Sequence, residues 1–205
     1  MMRKVDIVRN VSIVRSVNII RKRHMAAALL GAVLIVSMIP VRVLAKDRTG
    51  EGWRDKVEIT AHRGDNTQAP ENTMPAFKAA VENGADWIEL DVTQTKDGGL
   101  VIFHDADLMR MTGKPDKIWD MSYEELSQIN TASHWGPFFK DTRIPTLEEV
   151  LDYCKDKIKL NIEVKVNNHQ TQDFIARLVG LIQDKGMAGQ CMITSFDYHS
   201  LQAVK

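Results

Sequence analysis

From Val57 onwards the chain alternates short apolar runs of strand length with longer amphipathic stretches, the pattern that most restricts how it can fold. The runs Val57–Ala61, Trp87–Val92, Leu100–Phe103, Lys159–Val166 and Cys191–Ser195 read as strands, and Met74–Asn83, Ser122–Gln128, Thr146–Lys155 and Gln172–Lys185 as helices. Thr146-Leu147-Glu148-Glu149 reads as a helix start, with a Thr cap and a carboxylate three residues on. Such alternation predicts a parallel sheet covered by helices, and a TIM-type (β/α)8 barrel is a natural closure. One link is too short for a parallel crossover. Only Thr93–Gly99 separates the second and third runs, and Asp97-Gly98 is a turn signal, so a hairpin or a strand with an excursion is expected. Either arrangement returns His104 to the end where Glu89 and Asp91 lie.

What precedes this pattern is of another kind. Residues 1–24 hold seven Lys or Arg against one acid, Asp6, so with a formal net charge of zero the body from residue 46 must be acidic. A basic head on an acidic body points to anionic lipid as the head's partner and away from nucleic acid. Val5, Val8, Val11, Val14 and Val17 recur every three residues, as on an amphipathic interfacial helix. Residues 25–45 then form the most apolar run, close to the length of a bilayer span, with Arg21, Lys22, Arg23 and His24 just before it. The expectation is a transmembrane helix over 25–45, a cell-membrane location and a catalytic domain at 57–205 outside the cytoplasm. A cleaved signal peptide ending near Ala45, giving a secreted protein, is the alternative. The two cysteines, Cys154 and Cys191, match no disulfide framework or zinc spacing; two free thiols are expected. Nothing in the sequence fixes an oligomeric state.

Four strand ends carry the residues with chemistry. Ala61-His62-Arg63-Gly64 puts a proton-transfer group, a cation and a flexible turn at the carboxyl end of a strand, where parallel α/β folds bind ligands. In Glu89-Leu90-Asp91 the two carboxylates share one face of a strand while Leu90 faces the other. Two such charges repel and persist cheaply only with solvent or a cation between them, and oxygen ligands favour Mg2+ or Ca2+. His104, after Leu100-Val101-Ile102-Phe103, pairs with His62 as a general acid and base for work near neutral pH. Glu163-Val164-Lys165 adds a carboxylate and an ammonium on one face, read either as a ligand with a phosphate-neutralising cation or as a simple salt bridge. Each cluster alone also fits an ordinary turn or ion pair; together they supply two bases, three carboxylates and two cations.

In order along the chain, AHRG at 61–64, PENTMPAF at 70–77, GADWIELDVTQTKDGGLVIFHD at 84–105, LMRMTG at 108–113, IPTLEEVL at 144–151, IEVK at 162–165 and ITSF at 193–196 resemble the glycerophosphodiester phosphodiesterase family. The resemblance implies a TIM-type barrel with a small insertion around residues 106–143, and hydrolysis of glycerophosphodiesters to glycerol 3-phosphate and an alcohol with a bound divalent cation. By position it makes Glu89, Asp91 and Glu163 the metal ligands, His62 and His104 the acid and base, and Arg63 and Lys165 the phosphate contacts. The basic, apolar N-terminus is similar to the family branch with a membrane domain. Residues 57–205 would hold about the first five strands of the family barrel, with roughly three to follow beyond Lys205. Two other readings are a related phosphodiesterase acting on lipid headgroups and an inactive headgroup-binding domain.

Overall fold

The computed structural model describes residues 57–205, which form five strands and six α-helices. The strands are β1 (Thr60–His62), β2 (Trp87–Gln94), β3 (Leu100–Ile102), β4 (Lys159–Val164) and β5 (Cys191–Ser195). The helices are α1 (Met74–Glu82), α2 (Met109–Thr112), α3 (Tyr123–Ser127), α4 (Leu147–Cys154), α5 (Phe174–Asp184) and α6 (Tyr198–Ala203). Residues 1–24 and 25–45, expected as an amphipathic segment and a transmembrane helix, lie outside the described residues. Among the described residues no helix is long and apolar enough to cross a membrane.

Four of the five expected strands run parallel in the order β1-β2-β4-β5, and the fifth, β3, is antiparallel to β2. The short link therefore closes as a hairpin. Thr95 Oγ1 accepts from Gly99 N, Gly98 adopts a φ of 82°, and Val92, Thr93 and Gln94 pair with Ile102, Val101 and Leu100. One edge of β2 is thus divided between two neighbours. Its first half pairs with β1 and its last three residues with β3, while β4 runs along the other edge. β1 is shorter than its apolar run suggests because the Ile59 carbonyl accepts from both Asp86 N and Trp87 N, which interrupts the regular ladder; Val57 and Ile59 stay exposed.

β2 is buried on both faces, and the faces differ. Ile88, Leu90 and Val92 join the main core with Phe77 of α1, Leu147 and Leu151 of α4, and Leu178 and Ile182 of α5. Each such aliphatic side chain contributes about 1.5–3 kcal/mol on burial. The opposite face carries Glu89, Asp91 and Thr93, all nearly inaccessible. The helices begin as the sequence directs. Thr146 and Glu149 form a reciprocal capping box at α4, Ser122 and Glu125 form another at α3, and Thr73 caps α1. Between β3 and α4, residues 101–144 build a second small core from Val101, Phe103, Leu108, Met111, Ile118, Leu126 and Ile144. This matches the place expected for an insertion. Cys154 is buried on α4 and Cys191 partly buried on β5, both as free thiols.

Candidate active site

The carboxyl ends of β1, β2 and β4 meet around three acids. The sheet register sets Glu89 beside His62 on one side and places Asp91 opposite Glu163 on the other. One oxygen from each of Glu89, Asp91 and Glu163 lies within 4.8 Å of the others. Glu89 and Asp91 are 7% and 1% exposed, so this charge sits out of bulk water.

The turn after β1 is shaped to serve this cluster. Arg63 adopts a φ of 59°, which aims its backbone N–H at Glu89 Oε2 at 3.0 Å. Gly64 follows at a φ of 81°, and a Cβ there would lie 2.8 Å from Ala76 of α1. The turn and the helix are in direct backbone contact. The Arg63 guanidinium donates from Nη1 to Glu71 Oε1 at 2.8 Å and places Nε 3.4 Å from Asp91 Oδ2. Asn72, at a φ of 55° and buried, donates from Nδ2 to Asp91 Oδ2 at 2.7 Å. Positive φ at two non-glycine residues beside one carboxylate is backbone strain concentrated at the site.

Lys165 closes the other side, with Nζ 2.6 Å from Glu163 Oε1 and 2.9 Å from Asp91 Oδ1. The contact with Asp91 is an ion pair out of hydrogen-bonding alignment: Asp91 Oδ1 and Arg63 Nε are buried polar atoms with no hydrogen-bond partner. Burial works against the Lys165 ammonium, but pairing with Glu163 and Asp91 more than offsets this and raises its pKa. Glu89 goes the other way. Burial first, then the charge of Asp91, push its pKa up to about 7 despite the Arg63 N–H.

His62 Nε2 lies 3.7 Å from Glu89 Oε2 with the imidazole largely exposed. His104 reaches the site because Phe103 N donates to Asp91 O at 2.9 Å, extending the β3 pairing by one residue. Its Nδ1 is 2.6 Å from Asp105 Oδ1. His104, Asp105, Glu163, Lys165, Asn167 and Ser195 line a cleft of about 440 Å3 over the ends of β4 and β5. His62 and Arg63 are not part of its lining; they approach the acids from the β1 side.

All seven residues singled out in the sequence therefore gather on one side of the sheet, Glu89 and Asp91 within β2 and the other five at or next to the ends of β1, β3 and β4. Four others in the same network were given no role there: Glu71, Asn72, Asp105 and Arg110. All four fall within PENT, HD and LMRMTG, so the signal was present in motifs already noted, without the long-range contacts that give it meaning.

The cluster fits a hard divalent cation: three carboxylates supply only oxygen donors, and the buried Asp91 Oδ1 has no hydrogen bond. The chain is 40% identical over 151 residues to a glycerophosphodiester phosphodiesterase of Caldanaerobacter subterraneus, covering 73% of this chain and 62% of the relative. A Bacillus altitudinis glycerophosphodiester phosphodiesterase is 38% identical over 149 residues, covering 70% and 60%. Among solved structures, an Oleispira antarctica phosphodiesterase in complex with the product sn-glycerol-3-phosphate superposes with a TM-score of 0.68 at 32% identity, over 75% of this chain and 63% of that one. An Agrobacterium tumefaciens glycerophosphodiester phosphodiesterase gives 0.65 at 30%, over 72% and 61%. The described sheet thus has the parallel α/β fold of these enzymes, and the chain spans about six tenths of the length of the relatives it matches. The family model described as glycerophosphoryl diester phosphodiesterase matches residues 62–205, from the histidine that ends β1 onwards, and with most of its length so matched the chain belongs to that family.

Proposed function

We propose that this chain carries the catalytic front part of a divalent-cation-dependent phosphodiesterase that hydrolyses glycerophosphodiesters to glycerol 3-phosphate and an alcohol. The observation that carries the reading is the cluster of buried Glu89 and Asp91 with partly buried Glu163 on neighbouring strands, with His62 on one side and His104 on the other. Glu89, Asp91 and Glu163 would hold Mg2+ or Ca2+, which when bound supplies positive charge to offset that on the phosphoryl oxygens. Arg63 and Lys165 add fixed positive charge beside the same position. One histidine takes the proton of the substrate's own glycerol hydroxyl as its oxygen bonds to phosphorus, the other gives a proton to the alcohol oxygen as its bond to phosphorus breaks, and water then opens the resulting cyclic phosphate to glycerol 3-phosphate. The cleft beside His104 and Lys165, lined by both polar and apolar side chains, has the size of a small diester site.

The experiment is release of glycerol 3-phosphate by the full-length protein from glycerophosphocholine and glycerophosphoethanolamine, with Mg2+, Ca2+ or EDTA. Cleavage that needs a divalent ion and falls about 100–10,000-fold in His62→Ala and in His104→Ala supports the assignment. No cleavage with any divalent ion overturns it. For residues 1–45 the proposal, resting on sequence alone, is a membrane segment that leaves the catalytic part outside the cytoplasm. A reporter fused after residue 46 and active only in the cytoplasm would contradict it.

A further inference from the structure

Arg110 is not among the residues that bind, ligate or transfer protons in the reading above, yet it joins the two loops that carry the histidines. Its Nε donates to Asp105 Oδ2 at 2.7 Å, and its Nη2 and Nη1 donate to Glu71 Oε1 and Oε2 at 2.6 and 3.1 Å. Glu71 Oε1 also accepts from Arg63 Nη1, and Asp105 Oδ1 faces His104 Nδ1. An unbroken path therefore runs from His104 through Asp105, Arg110 and Glu71 to Arg63, beside the carboxylate cluster.

Magnitudes indicate what this path is for. The Arg110 side chain is 47% exposed, so solvent screens its pairs, while its partners Glu71 and Asp105 are 21% and 22% exposed and the contacts form one network. Fold stability is a weak reason for three directed hydrogen bonds from one guanidinium. Orientation is a better one. Arg110 occupies one oxygen of Asp105 and so fixes the plane in which the other meets the imidazole. A carboxylate so fixed at Nδ1 selects the tautomer with its proton there, leaving Nε2 to exchange protons in the cleft. Burial alone would raise the Asp105 pKa, but the hydrogen bonds from Arg110 and His104 hold it below the usual carboxylate range, so it remains an acceptor. The other charged groups lining that cleft are Glu163 from β4, Lys165 just after it and Asp197 after β5.

We propose that Arg110 is a positioning residue that, through Asp105, sets the tautomer and orientation of His104 and, through Glu71, ties that setting to Arg63. The proposal rests on the acid/base reading of His104. Its primary readout is the nitrogen NMR signature of His104 in the full-length protein, which needs no turnover. In the wild type, neutral His104 carries its proton on Nδ1; in Arg110→Ala and in Asp105→Asn that population shifts towards Nε2. Activity should follow: kcat falls about 10–100-fold while KM changes less than about threefold, with Arg110→Lys intermediate because an ammonium keeps the charge but lacks the fixed planar fork that holds both carboxylates in one orientation. An unchanged tautomer in Arg110→Ala overturns the proposal, as does a loss confined to KM, which would make Arg110 a substrate contact. If Arg110→Ala does not fold, Arg110→Lys and Asp105→Asn carry the same comparison. A tautomer shift in Arg110→Ala, with a wild type that cleaves no diester, keeps this inference and removes the functional reading instead.

Discussion

Replacing Glu89 by Gln should make the metal-free protein more stable at pH 8 and the metal-bound protein less so. In the fold the Glu89 carboxyl is raised from 4.5 to about 7, mainly by burial and then by Asp91. Between those values the folded state holds a proton that the unfolded state has lost. The resulting stability is complete below about 4.5 and disappears as the pH rises through 7. The difference corresponds to roughly 3 kcal/mol, and residual solvent screening reduces the expected effect to about 1–3 kcal/mol. Gln retains an oxygen for the Arg63 N–H and removes the charge. In EDTA at pH 8 the variant should melt higher than the wild type, by about 2–4 °C per kcal/mol, and at pH 5 the gap should narrow. Mg2+ or Ca2+ at a hundred times its dissociation constant should then raise the wild type by about 2.7 kcal/mol and the variant by clearly less, reversing the order. Calorimetric melting at the two pH values, with chelator and with metal, tests each part. A variant that melts below the wild type in EDTA at pH 8, or gains as much from metal, would refute the reasoning.

Three further expectations follow from particular contacts. Gly64→Ala should cost at least about 1–2 kcal/mol, because it combines a left-handed backbone with a Cβ 2.8 Å from Ala76; chemical denaturation measures it. Burial pushes the thiols of Cys154 and Cys191 up to about 12 and about 11, so an aromatic disulfide reagent at pH 8 should label neither until the protein is unfolded. Leu90→Ala should lose about 2–5 kcal/mol in denaturant titration, since Leu90 is fully buried among α1, α4 and α5 side chains and leaves a cavity that close-packed neighbours fill poorly.

The site was legible where its logic is local. Glu89 and Asp91 share a face because strand geometry alternates with period two, and their burial was readable from Trp87-Ile88 and Leu90-Val92. The hairpin was readable because Asp97-Gly98 stands in a link too short for a crossover, and the start of α4 because a capping box spans only four residues. Contacts with long sequence separation were not readable. Asn72 reaches Asp91 across 19 residues and Arg110 reaches Glu71 across 39, and no periodicity announces either. The same holds for β1, whose start depends on a carbonyl shared between Asp86 and Trp87 rather than on its own apolar run.

Those distant contacts explain why one of three neighbouring carboxylates bears the electrostatic cost. Asp91 is flanked by Arg63 and Lys165 and hydrogen-bonded by Asn72; Glu163 is paired with Lys165. Glu89 has a backbone N–H and a histidine 3.7 Å away, and among the described residues no lysine or arginine side chain forms an ion pair with it. Three acids share two full cations, and the deficit falls on Glu89. A site built only for fold stability would gain by replacing it with a neutral residue, since an unpaired buried charge is among the costlier features a protein can keep. Its retention is what a place for a further positive charge requires, and Asp91 Oδ1, ion-paired with Lys165 but without a hydrogen bond, lies within the same triad. The charge deficit at Glu89 and the missing hydrogen bond at Asp91 Oδ1, which has only its ion pair with Lys165, belong to one arrangement, and a single divalent ion held by the three carboxylates would offset the first and engage the second.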